Sequence, residues 1–133
     1  MHKIIKYLPS QTIYKNIKIK CIIAGGRDYI PNNNDKEFII KLLKHYHITK
    51  IVSGHAKGAD MFGEKIALEL KLALTLFPAE WDLYGPKAGP LRNRQMALYT
   101  DYAILLPGGA GTESMRKEML IHNKKILYDF QKE

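Results

Sequence analysis

Several things are scarce or missing in this chain of 133 residues, and each scarcity excludes something. There is one cysteine, Cys21. A single thiol rules out an internal disulfide framework, and with it the small secreted scaffolds that depend on one. Cys21 sits in an apolar stretch and reads as a small core residue, not a nucleophile. No apolar run approaches the ~20 residues a membrane helix needs. The opening segment, MHKIIKYLPSQTIY, lacks both the apolar block and the small-residue cleavage site of a signal peptide. We therefore expect a cytoplasmic protein with no membrane partner. Histidines and cysteine never cluster at metal-ligand spacing, and His45 and His47, two apart, do not share a helix face. We expect no metal and no resident cofactor. Acids are missing at the start: residues 1–20 hold five lysines and no acid, whereas the remainder holds 16 basic and 13 acidic residues. The net charge of +8 is thus largely an N-terminal feature. It favours anionic partners without separating a nucleotide from a nucleic acid.

What is present describes one globular domain. The length suits a single core, and 46% hydrophobic with 26% charged residues is ordinary globular composition. Residues 1–16 read as a basic N-terminal arm, broken at Pro9-Ser10, and 17–133 as the domain. From there strands and helices alternate. The β-rich run Ile17 to Ala24 predicts a strand. Asp35 predicts the cap of a helix to about Tyr46, with Phe38, Leu42 and Tyr46 on one stripe. Strands follow at Lys50 to Ser53, Leu72 to Phe77, Tyr102 to Leu106 and Lys125 to Tyr128. Between them lie helices from Ala59 to Leu70, from Gly89-Pro90 to Tyr99 and from Thr112 to Asn123, while Ala79 to Gly85 reads as a loop. This alternation predicts an α/β fold: one Rossmann-like domain, with a parallel sheet of about five strands and helices on both faces. Coverage on both faces explains continuous apolar runs such as CIIA and AILL.

Ten glycines are present, and nine fall in the predicted strand-to-helix connections. The exception, Gly63, lies inside a helix and suits close packing on the sheet. In a parallel sheet those connections all emerge at the carboxyl edge, where open α/β sheets bind ligands. Four segments there carry candidate chemistry. Pro107, Gly108, Gly109, Gly111 and Thr112 follow an apolar strand and open a helix, an arrangement that lets backbone N–H groups and the helix dipole meet a phosphate. No Gly-Lys-Ser/Thr follows, so this is not a P-loop. Ser53, Gly54, Lys57, Gly58 and Asp60 repeat the strand–loop–helix placement. There Lys57 is a point charge for phosphate, and Asp60 either bonds a ribose hydroxyl or organises its own loop. His55, with no identifiable carboxylate partner, reads as a loop residue. Gly25, Gly26 and Arg27 end the first strand, Arg27 being a clamp for phosphate or carboxylate. Arg92 and Arg94 sit in the first turn of a helix, against its dipole. They are about 200° apart on that helix, so one can face a ligand while the other faces structure. Glu80, Trp81, Asp82 and Tyr84 add an acid pair and two aromatics that either stack on a base or close the core edge.

The segments IIAGGRDY, IVSGHAKGADMFGEKIA, FPAEWDLYGPKAGPLRNRQMA and ILLPGGAGT resemble the YspA/YpsA-related group of the SLOG superfamily. The likeness runs from about Ile19 to Tyr128. The superfamily also contains the cytokinin-activating phosphoribohydrolases and the DNA-processing protein DprA. The resemblance implies a Rossmann-like sheet that binds nucleotides or nucleotide-derived molecules, and it implies a homodimer. The phosphoribohydrolases are similar at Pro107, Gly108, Gly109, Gly111 and Thr112. Their pattern continues with one residue and then two glutamates, one of them catalytic. Here Glu113 is followed by Ser114 and Met115, so both are missing. Arg94, or Arg92, matches their catalytic arginine.

The favoured expectation is therefore a nucleotide-binding or nucleotide-sensing domain. An N-glycosidase acting on nucleoside monophosphates is the first alternative. It would use Arg94, with Glu80, Asp82 or Glu113 replacing the missing acid. A DprA-like binder of single-stranded nucleic acid, using the basic N-terminus, is the second and less favoured one.

Overall fold

A computed structural model of the protein describes residues 17–131. The expected basic arm, residues 1–16, lies outside them. Five strands form one sheet, every neighbouring pair parallel: β1 (Lys20–Ala24), β2 (Lys50–Ser53), β3 (Ala73–Leu76), β4 (Tyr102–Leu105) and β5 (Lys125–Asp129). Their order across the sheet is β3-β2-β1-β4-β5. The helices are α1 (Asn33–His45), α2 (Ala59–Leu70), a short α3 (Trp81–Tyr84), α4 (Ala88–Tyr99) and α5 (Ala110–Ile121), with a 3-10 turn at Gly85–Lys87. The fold is thus the expected Rossmann-like α/β domain. Among the described residues, no helix is long and apolar enough to cross a membrane.

Burial in β1 shows how the layers are built. Cys21 and Ile23 point into one core with Ile39 and Leu43 of α1 and Phe62 and Ile66 of α2. Ile22 and Ala24 point into the other with Met96 and Ala97 of α4 and Met115 and Met119 of α5. Alternate residues of a strand face opposite sides, and a central strand of a parallel sheet must be apolar on both. That is why CIIA carries no polar residue. The edge strand β3 differs: Leu74 and Leu76 are 40% and 41% exposed. Its apolar sequence therefore does not signal complete cover, although α2 also packs against this strand.

Three local readings change. Asn32, not Asp35, caps α1: its side chain accepts from the Asp35 backbone N–H at 2.8 Å. Asp35 sits three residues in, where its carboxylate takes Tyr29 Oη at 2.7 Å and Asn32 Nδ2 at 2.9 Å, a reciprocal arrangement like a capping box. The segment from Trp81 is helical and not a loop. Helix α5 begins at Ala110, two residues before Thr112, so Gly111 belongs to its first turn, as Gly89 belongs to that of α4.

The sheet order reverses between β1 and β4. The chain leaves β1 toward β2 and β3, then returns to the centre and continues through β4 to β5. At that point the two connections part toward opposite faces and a crevice opens at the carboxyl edge.

Close packing of α2 on β1 depends on Gly63, where a Cβ would lie 2.8 Å from Ile23 Cβ. Gly63→Val should lower stability by ~2–3 kcal/mol through overpacking and loss of helix propensity, read as a lower urea midpoint with unchanged slope. Gly111→Ala, where a Cβ meets nothing within 4 Å, should be neutral or stabilising by up to ~1 kcal/mol.

Candidate functional site

A cavity of about 1020 Å³ fills this crevice, walled by the loops after β1, β2 and β4 and by the starts of α3 and α4. The loops reach one another through backbone. Gly26 N–H donates to the Pro107 carbonyl at 2.8 Å, and Ala59 N–H donates to the Gly26 carbonyl at 3.1 Å. A Cβ on Gly108 would come within 2.6 Å of Gly26 N, and one on Gly25 within 2.7 Å of Leu106 Cβ. Gly58 has φ +76°, and a Cβ there would collide with the backbone of Gly26 and Arg27. Glycine is required at Gly58 twice over, by conformation and by space.

Of the residues expected at the site, Gly25, Gly26, Arg27, Gly54, Lys57, Asp60, Arg92, Pro107, Gly109, Gly111 and Thr112 line the cavity. The rest do not. Ser53 is fully buried, and its hydroxyl donates to Glu64 Oε2 at 2.7 Å. Gly58 and Gly108 pack loop against loop behind the wall. Glu80 precedes α3 and does not line the cavity. Arg94 is turned away, 63% exposed, with Nε 3.8 Å from Glu118 Oε1. The ~200° between the two arginines puts Arg92 inward and Arg94 outward, so Arg94 is not the arginine of this cavity. Asp82 is also off the wall, and Glu113 pairs with Arg116, which in turn grips Asp129 at 2.5 and 2.9 Å. None of the three acids expected to replace the missing glutamate reaches the cavity.

Arg92 works mainly as a brace. Its guanidinium donates to the carbonyl of Gly54 at 2.7 Å, the carbonyl of Phe77 at 3.2 Å and Asn93 Oδ1 at 3.0 Å, joining the ends of β2 and β3 to α4. Burial opposes its charge, and nearby Asp60 supports it. Asn93 continues the chain, donating to the Gly111 carbonyl at 3.3 Å and to Ser114 Oγ at 3.2 Å. The start of α5 is thereby fixed from α4.

Asp60, 6% exposed, accepts from the Ala56 N–H at 3.1 Å, so it does organise its own loop. Burial pushes its carboxyl up to about 6, against the lowering effects of that N–H and of Arg92. Thr112 is 3% exposed, and among the described residues its Oγ1 is buried with no hydrogen-bond partner. It stands in the first turn of α5, a helix whose start has no side-chain cap. Arg27 and Lys57 are exposed on the wall, with no ion pair among the described residues.

One cavity feature escaped the sequence reading. His55 does have a carboxylate partner: Glu64 Oε2 lies 2.9 Å from its Nδ1. The i, i+4 spacing of Asp60 and Glu64 places two acids on the same face of α2 but does not say which loop residue either meets. Trp81, expected either to stack on a base or to close the core edge, lines the wall beside Gly89, where a Cβ would touch its ring at 3.2 Å. Among the described residues, no group of three or more His, Cys, Asp and Glu is arranged to hold a metal ion. No protein-family model matches the chain, and no curated protein matches it.

The raised carboxyl of Asp60 has a consequence for stability. Its ordinary value is 3.8 and its folded value about 6. The protonated form is the one the fold favours, so the stabilising contribution is complete below 3.8 and disappears as pH rises through 6. Asp60→Asn should remove this slope. The stability of the variant relative to wild type should rise by about 1.4 kcal/mol per pH unit across that window and stay level above it. Urea melts from pH 4 to 8 measure this.

Proposed function

We propose that the cavity binds a phosphorylated nucleotide or nucleotide derivative, its phosphate seated on the first turn of α5 beside Thr112. The observation that carries this reading is the buried, unpartnered Thr112 Oγ1 at an uncapped helix start. A buried hydroxyl without a partner costs about 1–3 kcal/mol, and native folds keep few of them. A phosphate oxygen accepting from Thr112 removes that cost and meets the free N–H groups and positive dipole of the helix end. Arg27 and Lys57 supply counter-charge on the same wall.

Size and shape support a ligand larger than a bare ion. A volume of about 1020 Å³ lies at the top of the ~300–1,000 Å³ range of small-molecule sites. The exposed indole of Trp81 offers an apolar face at which a base can stack. Glycosidic cleavage is the weaker reading, because Glu80, Asp82 and Glu113 lie off the wall. The nucleic-acid reading leans on Lys3, Lys6 and Lys15, outside the described residues.

Nucleotide-stripped protein should melt several degrees higher with one of a panel of nucleoside mono-, di- and triphosphates, dinucleotides or cyclic nucleotides. A ligand at 100 times its Kd contributes about 2.7 kcal/mol, a visible shift in a domain of this size. Thr112→Val should leave the fold intact and weaken that ligand about tenfold or more. A panel that leaves the melting temperature unmoved sinks the proposal. The homodimer stays part of this reading. Leu98, Leu120 and Ile121 are exposed at the ends of the packed helices α4 and α5. Light scattering should give twice the 15.2 kDa of one chain; a particle of one chain's mass refutes it.

A further inference from the structure

Phosphate binding leaves one part of the cavity wall unused. Ser53, at the end of β2 and fully buried, donates to Glu64 Oε2 at 2.7 Å and accepts the His55 N–H at 3.0 Å. Glu64, its side chain 12% exposed, holds His55 Nδ1 at 2.9 Å through Oε2 and at 3.2 Å through Oε1. His55 itself lines the cavity with its side chain 44% exposed. Its backbone sits at φ +60°, a strained left-handed conformation for a residue other than glycine. Glu64 thus holds the imidazole, and Ser53 ties Glu64 to the strained backbone of His55.

The contact with Glu64 assigns the ring nitrogens, whose donor and acceptor roles follow from the tautomer. An ionised carboxylate only accepts, so Nδ1 carries the hydrogen and the neutral ring keeps its lone pair on Nε2. A carboxylate on Nδ1 also stabilises the imidazolium that forms when Nε2 takes a proton. We propose that His55 is the general base of this cavity, activating water to hydrolyse a phosphoester or phosphoanhydride bond of the bound nucleotide, with Glu64 as its positioning residue. The proposal rests on the nucleotide reading above.

The step balances without a redox partner. Nε2 takes a proton from water as the water oxygen bonds to phosphorus. The bond from phosphorus to the leaving oxygen breaks with its electron pair on that oxygen, which then takes the proton back from Nε2. One water is consumed and two products leave. Charge on the wall favours this over breaking the sugar–base bond. Of the Asp, Glu, Lys and Arg residues lining it, Arg27, Lys57 and Arg92 outnumber Asp28 and Asp60 by one. Such a wall stabilises negative charge on phosphoryl oxygens and opposes the cationic sugar of glycosidic cleavage.

The full chain is incubated with AMP, ADP, ATP and NAD. Products are separated by chromatography, and melting temperatures are recorded in parallel. Wild type should cleave at phosphorus at least one nucleotide that raises its melting temperature. His55→Gly suits a backbone at φ +60°. It should keep the melting shift while kcat falls ~10²-fold or more, and added imidazole should restore part of the rate. Glu64→Gln should lower kcat with KM unchanged. A nucleotide that raises the melting temperature yet comes back intact from wild type overturns the proposal and leaves the binding reading standing. So does release of free base, or a His55→Gly variant with the wild-type rate. If no nucleotide moves the melting temperature, the binding reading falls and this one with it.

Discussion

The contact of Gly26 N–H with the Pro107 carbonyl, 2.8 Å long, joins the loop after β1 to the loop after β4 across the point where the sheet order reverses. Two strands that are neighbours in the sheet send their connections to opposite faces, and the loops have to touch before they diverge. Side chains would hold them apart. Gly26 and Gly108 lie back to back, and Gly58 from the loop after β2 closes on the same backbone. The helix start at Ala110 and the wall around Lys57 take their places from this three-loop contact. It is made by main chain, so its geometry does not depend on rotamers.

Electrostatics adds a second constraint at the same edge. Helix α2 presents both Asp60 and Glu64 to the loop before it, and Asp60, in its first turn, suits the positive end of its dipole. The two carboxylates have different surroundings. Asp60 is buried near Arg92 and holds the Ala56 amide, and burial favours its protonated form. Glu64 is reached by a hydroxyl and an imidazole. One acid therefore shapes the loop, and the other orders side chains along the cavity wall. Arg92 ties this group to β3 and α4 through two carbonyls and Asn93. Asp60 is coupled to Arg92 and Glu64 through charge and not through a shared hydrogen bond.

Much of the architecture was legible because the strands are short and apolar and the first four are closed by glycine or proline. The bounds of β2 and α2 agree with the expectation at both ends, Lys50–Ser53 and Ala59–Leu70. The α1 cap was misread because Asn32 and Asp35 are both good cap residues, and only the fold decides which is the cap and which the third helical position. The short α3 was missed because four residues hold too little periodicity to detect. In the site, loop residues could be gathered at one edge from glycine positions alone. Direction within that edge could not. Ser53 and Arg94 were expected at the ligand, yet one is buried under the loop and the other faces Glu118. The pairing of His55 with Glu64 spans a loop and more than a helical turn. No spacing rule for a single element covers it.

The lone cysteine lies on the central strand, and its thiol is fully inaccessible. Burial also raises its pKa, so the reactive thiolate is scarce in the folded protein. Strands β2 and β4 flank it and helices α1 and α2 cover it, so no local fraying exposes it. Only opening of the whole core does. The molecule therefore carries a natural reporter of its own global unfolding: the rate at which a thiol reagent labels Cys21 under native conditions counts complete openings. Because no second thiol competes, that rate can be followed without engineering the chain.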